Sequence, residues 1–242
     1  MTPLEIVRQA QADTLVDEDG HVVTWELLPG LSEAELLDFA GRVPCRVPPE
    51  IAELLGACSG FNGILEQVEF TGRDLMFAFE EVFPYGLPIA ADGYGNFWVV
   101  DLHPSTTTWG PIYFACHDSP VILYQADSLK QFLIELFRKF EPPHHSLIDD
   151  VHEDRLAPVW RTNPGVLSHE LCLRSEDQIL YAFARELDES FQIIDLRRAR
   201  PGDGFSWGRY GTNTRIERFG THPVFAYQKP KSIFFRLLER AR

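Results

Sequence analysis

The chain is poor in the features that staple or anchor a protein. Its four cysteines, Cys45, Cys58, Cys116 and Cys172, are far apart and form no C-x-x-C pair. That excludes a zinc ribbon or a dithiol motif and reads as reduced thiols of a cytosolic protein. No unbroken apolar run approaches the roughly 18 residues that mark a bilayer-spanning helix, and the opening "MTPLEIVRQAQADTL" lacks the basic-then-apolar order of a secretory signal. A cytoplasmic location with no membrane partner is expected.

Basic residues are scarce in the front half. Residues 1–150 carry 7 Lys and Arg against 24 Asp and Glu, a net charge of −17, whereas residues 151–242 carry 15 against 12, a net +3. An acidic front half repels phosphates, so no nucleic acid partner is expected. Two readings of the acidity stand: it keeps the protein soluble, or it attracts a basic protein partner.

Apolar residues are plentiful, at 45%, with 18 Phe and 5 Trp, enough for a large core without disulfides. The first 60 residues read as helical. Ser32 and Glu35 form a capping box ahead of "LSEAELLDFA", and Pro49 opens a helix through Ile51, Leu54, Leu55 and Cys58, stopped by Ser59-Gly60. From Gly63 to Ala126 short β-branched and aromatic runs alternate with turn residues and read as strands: "ILEQVEF", "LPIAA", "NFWVVDL", "PIYFACHD" and "VILYQA". "DSLKQFLIELFRKF" is the clearest helix, with Ser128 and Gln131 as capping box. Residues 141–165, rich in Pro, His and acid, read as a linker. In the tail "QILYAFA", "SFQIIDL", "GFSWGRY" and "PVFAYQ" read as strands and "SIFFRLLERAR" as a helix.

A search for catalytic residues finds none. "GACSG" at 56–60 sits at a helix end, not at the strand-to-helix turn of a nucleophile elbow. "DGYGN" at 92–96 lacks the third glycine and following helix of a dinucleotide loop. His144, His145 and His152 with Asp149, Asp150, Glu153 and Asp154 are metal-ligand types, but no helical spacing fixes them. His117 and Asp118, adjacent at a strand end, point to opposite faces and do not cooperate. "RRAR" at 197–200, with Trp207, Arg209 and Tyr210, has the cation–aromatic mixture of a nucleic-acid patch, or else is an Arg-rich surface docked on the acidic front. No catalytic, metal or cofactor residue is assigned, and no cofactor is expected.

The order of motifs resembles the SUKH superfamily of Smi/Knr-type proteins over roughly residues 28–140. The residues that carry it are Pro48-Pro49 with Asn62-Gly63, Asp92-Gly93-Tyr94-Gly95-Asn96, Phe97 to Asp101, Gly110 to Asp118, and Ser128-Leu129 with Phe132-Leu133. The resemblance implies an α+β fold, with a mixed, largely antiparallel β-sheet flanked by helices. A SUKH-like domain at 1–143, a linker at 144–165 and a small β-rich domain or sheet extension at 166–242 are expected. It also implies a non-catalytic role. Bacterial members are mostly immunity proteins that neutralise a toxin, often a nuclease, and fungal members are regulatory scaffolds. An immunity protein that occludes a basic toxin domain is the leading expectation, a scaffold the alternative, and a metal-dependent enzyme the third.

Five residues are candidates for partner contact: Asp92, Tyr94, Asn96, Trp109 and Asp118. Aromatic anchors are enriched at interface hot spots, and Tyr94 lies at the tip of what reads as a hairpin turn. Trp98 alternates with Phe97, so one of the two faces the core, and Trp98 is assigned there. The acids at turns have a second use, capping backbone amides.

Overall fold

The computed structural model describes residues 1–77, 79–102, 104, 109–211 and 214–229. Helix α1 (Pro3–Ala12) begins at a capping box in which Thr2 and Glu5 satisfy each other's amides. Strand β1 (Glu26–Pro29) follows. Helix α2 (Glu33–Arg42) starts on the expected box: the Ser32 amide donates to the Glu35 carboxylate at 2.9 Å, and the Glu35 amide to the Ser32 hydroxyl at 3.4 Å. Helix α3 (Pro49–Ala57) opens on proline as expected, but Ser59-Gly60 is no helix stop. The chain passes straight into strand β2 (Cys58–Asn62), which pairs with β1 upstream, Glu26 facing Asn62, and with the next strand, Phe61 facing Val68. The front 60 residues are therefore not all helical.

The strand region is close to expectation: β3 (Gln67–Glu69), β4 (Gly86–Ala91), β5 (Phe97–Asp101), β6 (Ile112–Cys116) and β7 (Val121–Ala126). Helix α4 (Leu129–Arg138) is capped by the Ser128 hydroxyl, which accepts from the Gln131 amide at 3.2 Å. The Gln131 side chain does not complete the expected box; it donates to Glu135 at 3.1 Å.

Residues 144–165 are not an open linker. They form α5 (Leu147–Asp149), a π-helical segment (Asp150–Arg155) and α6 (Leu156–Thr162). Ile148, Val151 and Val159 are buried in the same core as α1, α3 and α4. The polar composition hid an apolar stripe. Its step from Val151 to Leu156 is one residue too wide for an α-helix, and the π turn absorbs that residue. Two contacts pin the segment to α4: the Ser146 hydroxyl donates to the Glu135 carbonyl at 2.6 Å and the Leu147 amide to the Glu135 carboxylate at 3.1 Å.

The tail comprises β8 (Leu167–Ser168), α7 (His169–Leu173), α8 (Gln178–Glu186), β9 (Phe191–Asp195), β10 (Gly204–Phe205), β11 (Ile216–Arg218) and β12 (Val224–Gln228). "QILYAFA" is helical, not a strand. Asp177 caps it by accepting from the Ile179 and Leu180 amides, and Phe183 and Ala184 face the core. "GFSWGRY" supplies only the two-residue β10. The helix expected in "SIFFRLLERAR" lies outside the described residues.

Among the described residues the fold is α+β, with every strand pairing antiparallel. An eight-stranded sheet runs β1-β2-β3-β4-β5-β6-β7-β10, and a four-stranded sheet runs β11-β12-β9-β8. The tail thus lends β10 to the large sheet and builds its own. Strands β5, β6 and β7 are buried at every position because both faces are covered. Trp98, Val100, Phe114 and Leu123 face the helices. Phe97, Val99, Tyr113 and Ile122 face Phe79, Val82 and Phe83 together with Ile194, Phe205 and Phe225 of the tail. Among the described residues a buried ion pair joins tail to front. Arg218 grips Asp101 with two bonds of 2.8 and 2.6 Å, both side chains about 5% exposed, and lies over the Phe225 ring at 5.3 Å.

Candidate functional site

The β4–β5 connection, "DGYGN", is a tight hairpin end. Gly93 and Gly95 take φ of +80° and +85°, a region open to glycine at little cost. Asp92 ties the turn together, accepting from the Tyr94 amide at 2.8 Å, the Asn96 amide at 3.2 Å and the Asn96 side chain at 2.6 Å. Asn96, only 6% exposed, accepts in turn from the His117 amide at 2.7 Å, which fastens this turn to the β6–β7 turn beside it. The result is a rigid tip that presents Tyr94 to solvent, 79% exposed. Asn96 builds the tip and does not offer a free surface.

A groove of about 500 Å³ lies beside the tip. Its buried floor is Trp98, Cys116 and Ile148, with Leu65 and Leu156 half-buried at the sides. Tyr94, Asp92, Asp118, Asp149 and Glu153 edge it. Trp98 is core, as expected: it is 2% exposed, and its Nε1 donates to Gln125 at 3.1 Å, whose own amide donates to the Leu147 carbonyl at 2.9 Å. That chain of bonds anchors α5 beneath the groove. Burial pushes the Cys116 thiol up, and the charges of Asp118 and Asp92 push it further the same way. The thiol stays protonated at neutral pH and is a poor nucleophile. Cys58, raised to about 11 by burial, and Cys172 behave alike, and all four cysteines are buried and outside any disulfide.

His117 and Asp118 correct an expectation. They lie in the β6–β7 turn, not in the strand, so their side chains meet at 3.3 Å, both exposed. Of the five contact candidates, Asp92, Tyr94, Asn96 and Asp118 come together at this groove. Trp109 does not. It is 4% exposed, packed against Phe39 of α2 with ring centroids 5.8 Å apart, and presents no anchor to a partner. The reason is that α2 closes over it, a long-range contact that no local pattern shows.

The histidines of the 144–154 stretch are dispersed. His144 contacts the Lys139 carbonyl at 3.1 Å, His145 lies 3.4 Å from Asp150, and His152 packs edge-on against Phe114 with ring centroids 5.2 Å apart. No group of three or more metal-ligand side chains occurs among the described residues. In the "RRAR" region Arg197 bridges Asp177 at 2.7 Å and Asp195 at 2.6 Å, and Arg209 donates to the Trp160 carbonyl at 3.1 Å, while Arg198 and Arg200 are exposed. The side of the groove built from 148–156 lies in the stretch whose composition reads as a linker, so the sequence pattern hides it. The spacing of Ile148, Val151, Leu156 and Val159 was the available signal.

Residues 30–135 match the model of the SMI1 / KNR4 family (SUKH-1). The match bears out the SUKH resemblance and runs from the start of α2 into α4. It therefore contains the hairpin tip and the Asp118 turn, but not the 148–156 side of the groove and not the tail. No curated protein and no solved structure matches the chain. No helix among the described residues is long and apolar enough to cross a membrane.

Proposed function

We propose that this chain is a non-catalytic protein of the immunity type, which binds a basic protein toxin through its acidic front face and blocks it by occlusion. SUKH membership over residues 30–135 supports a binding or regulatory role. The observation that carries the reading is the hairpin tip: a rigid turn that holds one exposed tyrosine over a groove edged with carboxylates. An exposed aromatic on a backbone already fixed in place loses little entropy on binding, and such residues dominate interface energies. A front half of net charge −17 favours encounter with a basic partner and repels acidic ones. A nuclease toxin, which must be basic to hold phosphates, fits that chemistry.

The test is to identify a toxin domain encoded beside this gene and measure its association kinetics with this chain. The reading predicts tight binding whose on-rate falls steeply as salt rises from 50 to 500 mM, roughly tenfold or more. No binding, or an on-rate indifferent to salt, contradicts it. A gene neighbourhood of cell-wall or signalling functions with no toxin would favour a regulatory scaffold of the same fold.

A further inference from the structure

We infer that the groove beside the hairpin tip receives an arginine side chain from the partner, with the Tyr94 ring lying against its guanidinium. This deepens the partner-binding reading above and rests on it.

The inference follows from the two chemistries the groove combines. Its floor, Trp98, Cys116 and Ile148, is hydrocarbon and thiol and calls for an apolar occupant. Its edge calls for a cation. Lys139 is the one Lys or Arg that lines the groove among the described residues, and it is already bound to Asp149 at 2.5 Å. Asp92 is spent on the turn amides. That leaves Asp118 and Glu153, both exposed, which line the groove from the β6–β7 turn and the π-helical segment. The neighbours there are imidazoles, His117 at 3.3 Å from Asp118 and His152 in the groove wall, not permanent cations.

An occupant that is apolar along its length and cationic at its end is a lysine or arginine side chain, which buries its methylenes and leaves its head at the polar edge. Tyr94 decides between the two. A flat, exposed ring held by a stiff turn is a stacking surface, and a planar guanidinium stacks on aromatic faces while meeting carboxylates through its fork of donors. The volume of about 500 Å³ exceeds one side chain and leaves room for the backbone that carries it. A carboxylate or phosphate ligand is disfavoured by the same two acids, since like charges repel.

The probe is a fluorescent, end-blocked peptide of alternating arginine and glycine, titrated by anisotropy into the full chain. Matched peptides carry lysine or citrulline, the latter an uncharged isostere of arginine. Saturable binding is expected in the order arginine, lysine, citrulline. Asp118→Lys with Glu153→Lys should weaken the arginine peptide roughly tenfold or more. Glu33→Lys with Glu53→Lys, the same charge change on exposed faces of α2 and α3, should weaken it less than about threefold, the loss expected from screened long-range attraction alone. Tyr94→Ala should cost roughly three- to fivefold and Tyr94→Phe little, because the ring face is what is used. Equal loss in both charge pairs, equal binding of citrulline, or no saturable binding overturns the inference. If the peptide fails while the toxin domain still binds, the arginine inference falls and the immunity reading stands; the converse result sinks the immunity reading alone.

Discussion

The two faces of the large sheet are buried by different means. The face bearing Trp98, Phe114 and Leu123 lies under α1, α3 and α4, with the 147–162 helices completing the cover. The face bearing Phe97, Val99, Tyr113 and Ile122 lies under residues 75–83 and the tail, whose Phe205 and Phe225 stack at 5.2 Å. The first cover combines α3 and most of α4, inside the family-matched region, with α1 and the 147–162 helices outside it; the second combines residues 75–83, inside the match, with the tail beyond it. Among the described residues the tail is thus a structural lid for the family-matched region, joined to it by strand β10, a shared apolar cluster and the buried Arg218–Asp101 ion pair. The hairpin tip, at the end of the same strands, stays open on the side the tail does not cover.

The comparison is broken most severely by removing the lid. A chain ending at 165 would lose Ile194, Phe205 and Phe225 from this face and uncover the part that residues 75–83 do not bury, an apolar patch that drives aggregation. It should fail to give a monomeric, cooperatively unfolding protein by gel filtration and near-ultraviolet circular dichroism. A stable monomeric fragment would show that the two faces are not equivalent parts of one core.

Next in size is the ion pair. Arg218→Ala or Asp101→Ala leaves the other charge buried without its partner, which costs roughly 3–5 kcal/mol. Urea denaturation should show that loss in each single variant. The double variant Asp101→Leu with Arg218→Met should lose much less than the sum, since the desolvation cost disappears with the charges.

The helix-covered face is probed by Ile148→Ala, in the stretch that composition reads as a linker. Ile148 is 2% exposed, and the substitution should cost roughly 2–5 kcal/mol in urea denaturation. A loss below about 0.5 kcal/mol, the usual range for a surface change, would restore the linker reading.

The smallest effect is at the tail's own staple. Hydrogen bonding to Arg197 holds the Asp177 carboxyl down to about 2, from an ordinary 3.8. A depressed folded-state value stabilises the protein above the unfolded value, and that contribution is lost as pH falls from about 4 towards 2. The melting-temperature gap between wild type and Asp177→Asn should therefore be widest at pH 6 and narrow across that window. A gap that stays constant or widens on acidification would contradict the assignment.

Much of this architecture is legible in the sequence, and the boundary is physical. Ser32 with Glu35 and the "DGYGN" turn are local devices, complete within five residues, and they read correctly. "QILYAFA" misleads because a short apolar run suits a strand or a buried helix face alike; the deciding residue was Asp177 just ahead of it. The stripe from Ile148 to Val159 was missed because its π step breaks the α repeat. Trp109 under Phe39, and Arg218 on Asp101 across 117 positions, are tertiary facts with no local trace. The same holds for the site. The tip was visible, while the groove was not, because its second side comes from helices that composition disguised.

The most direct test of the account is a toxin-protection assay with the groove charges reversed. Where a toxin domain is found encoded beside this gene, cells expressing it would carry the wild type, the Asp118→Lys/Glu153→Lys variant, or the Glu33→Lys/Glu53→Lys variant, each checked for unchanged melting temperature. Protection by the wild type and by the α2–α3 variant, with loss of protection when Asp118 and Glu153 are reversed, is the predicted result. Undiminished protection with the groove reversed would contradict it.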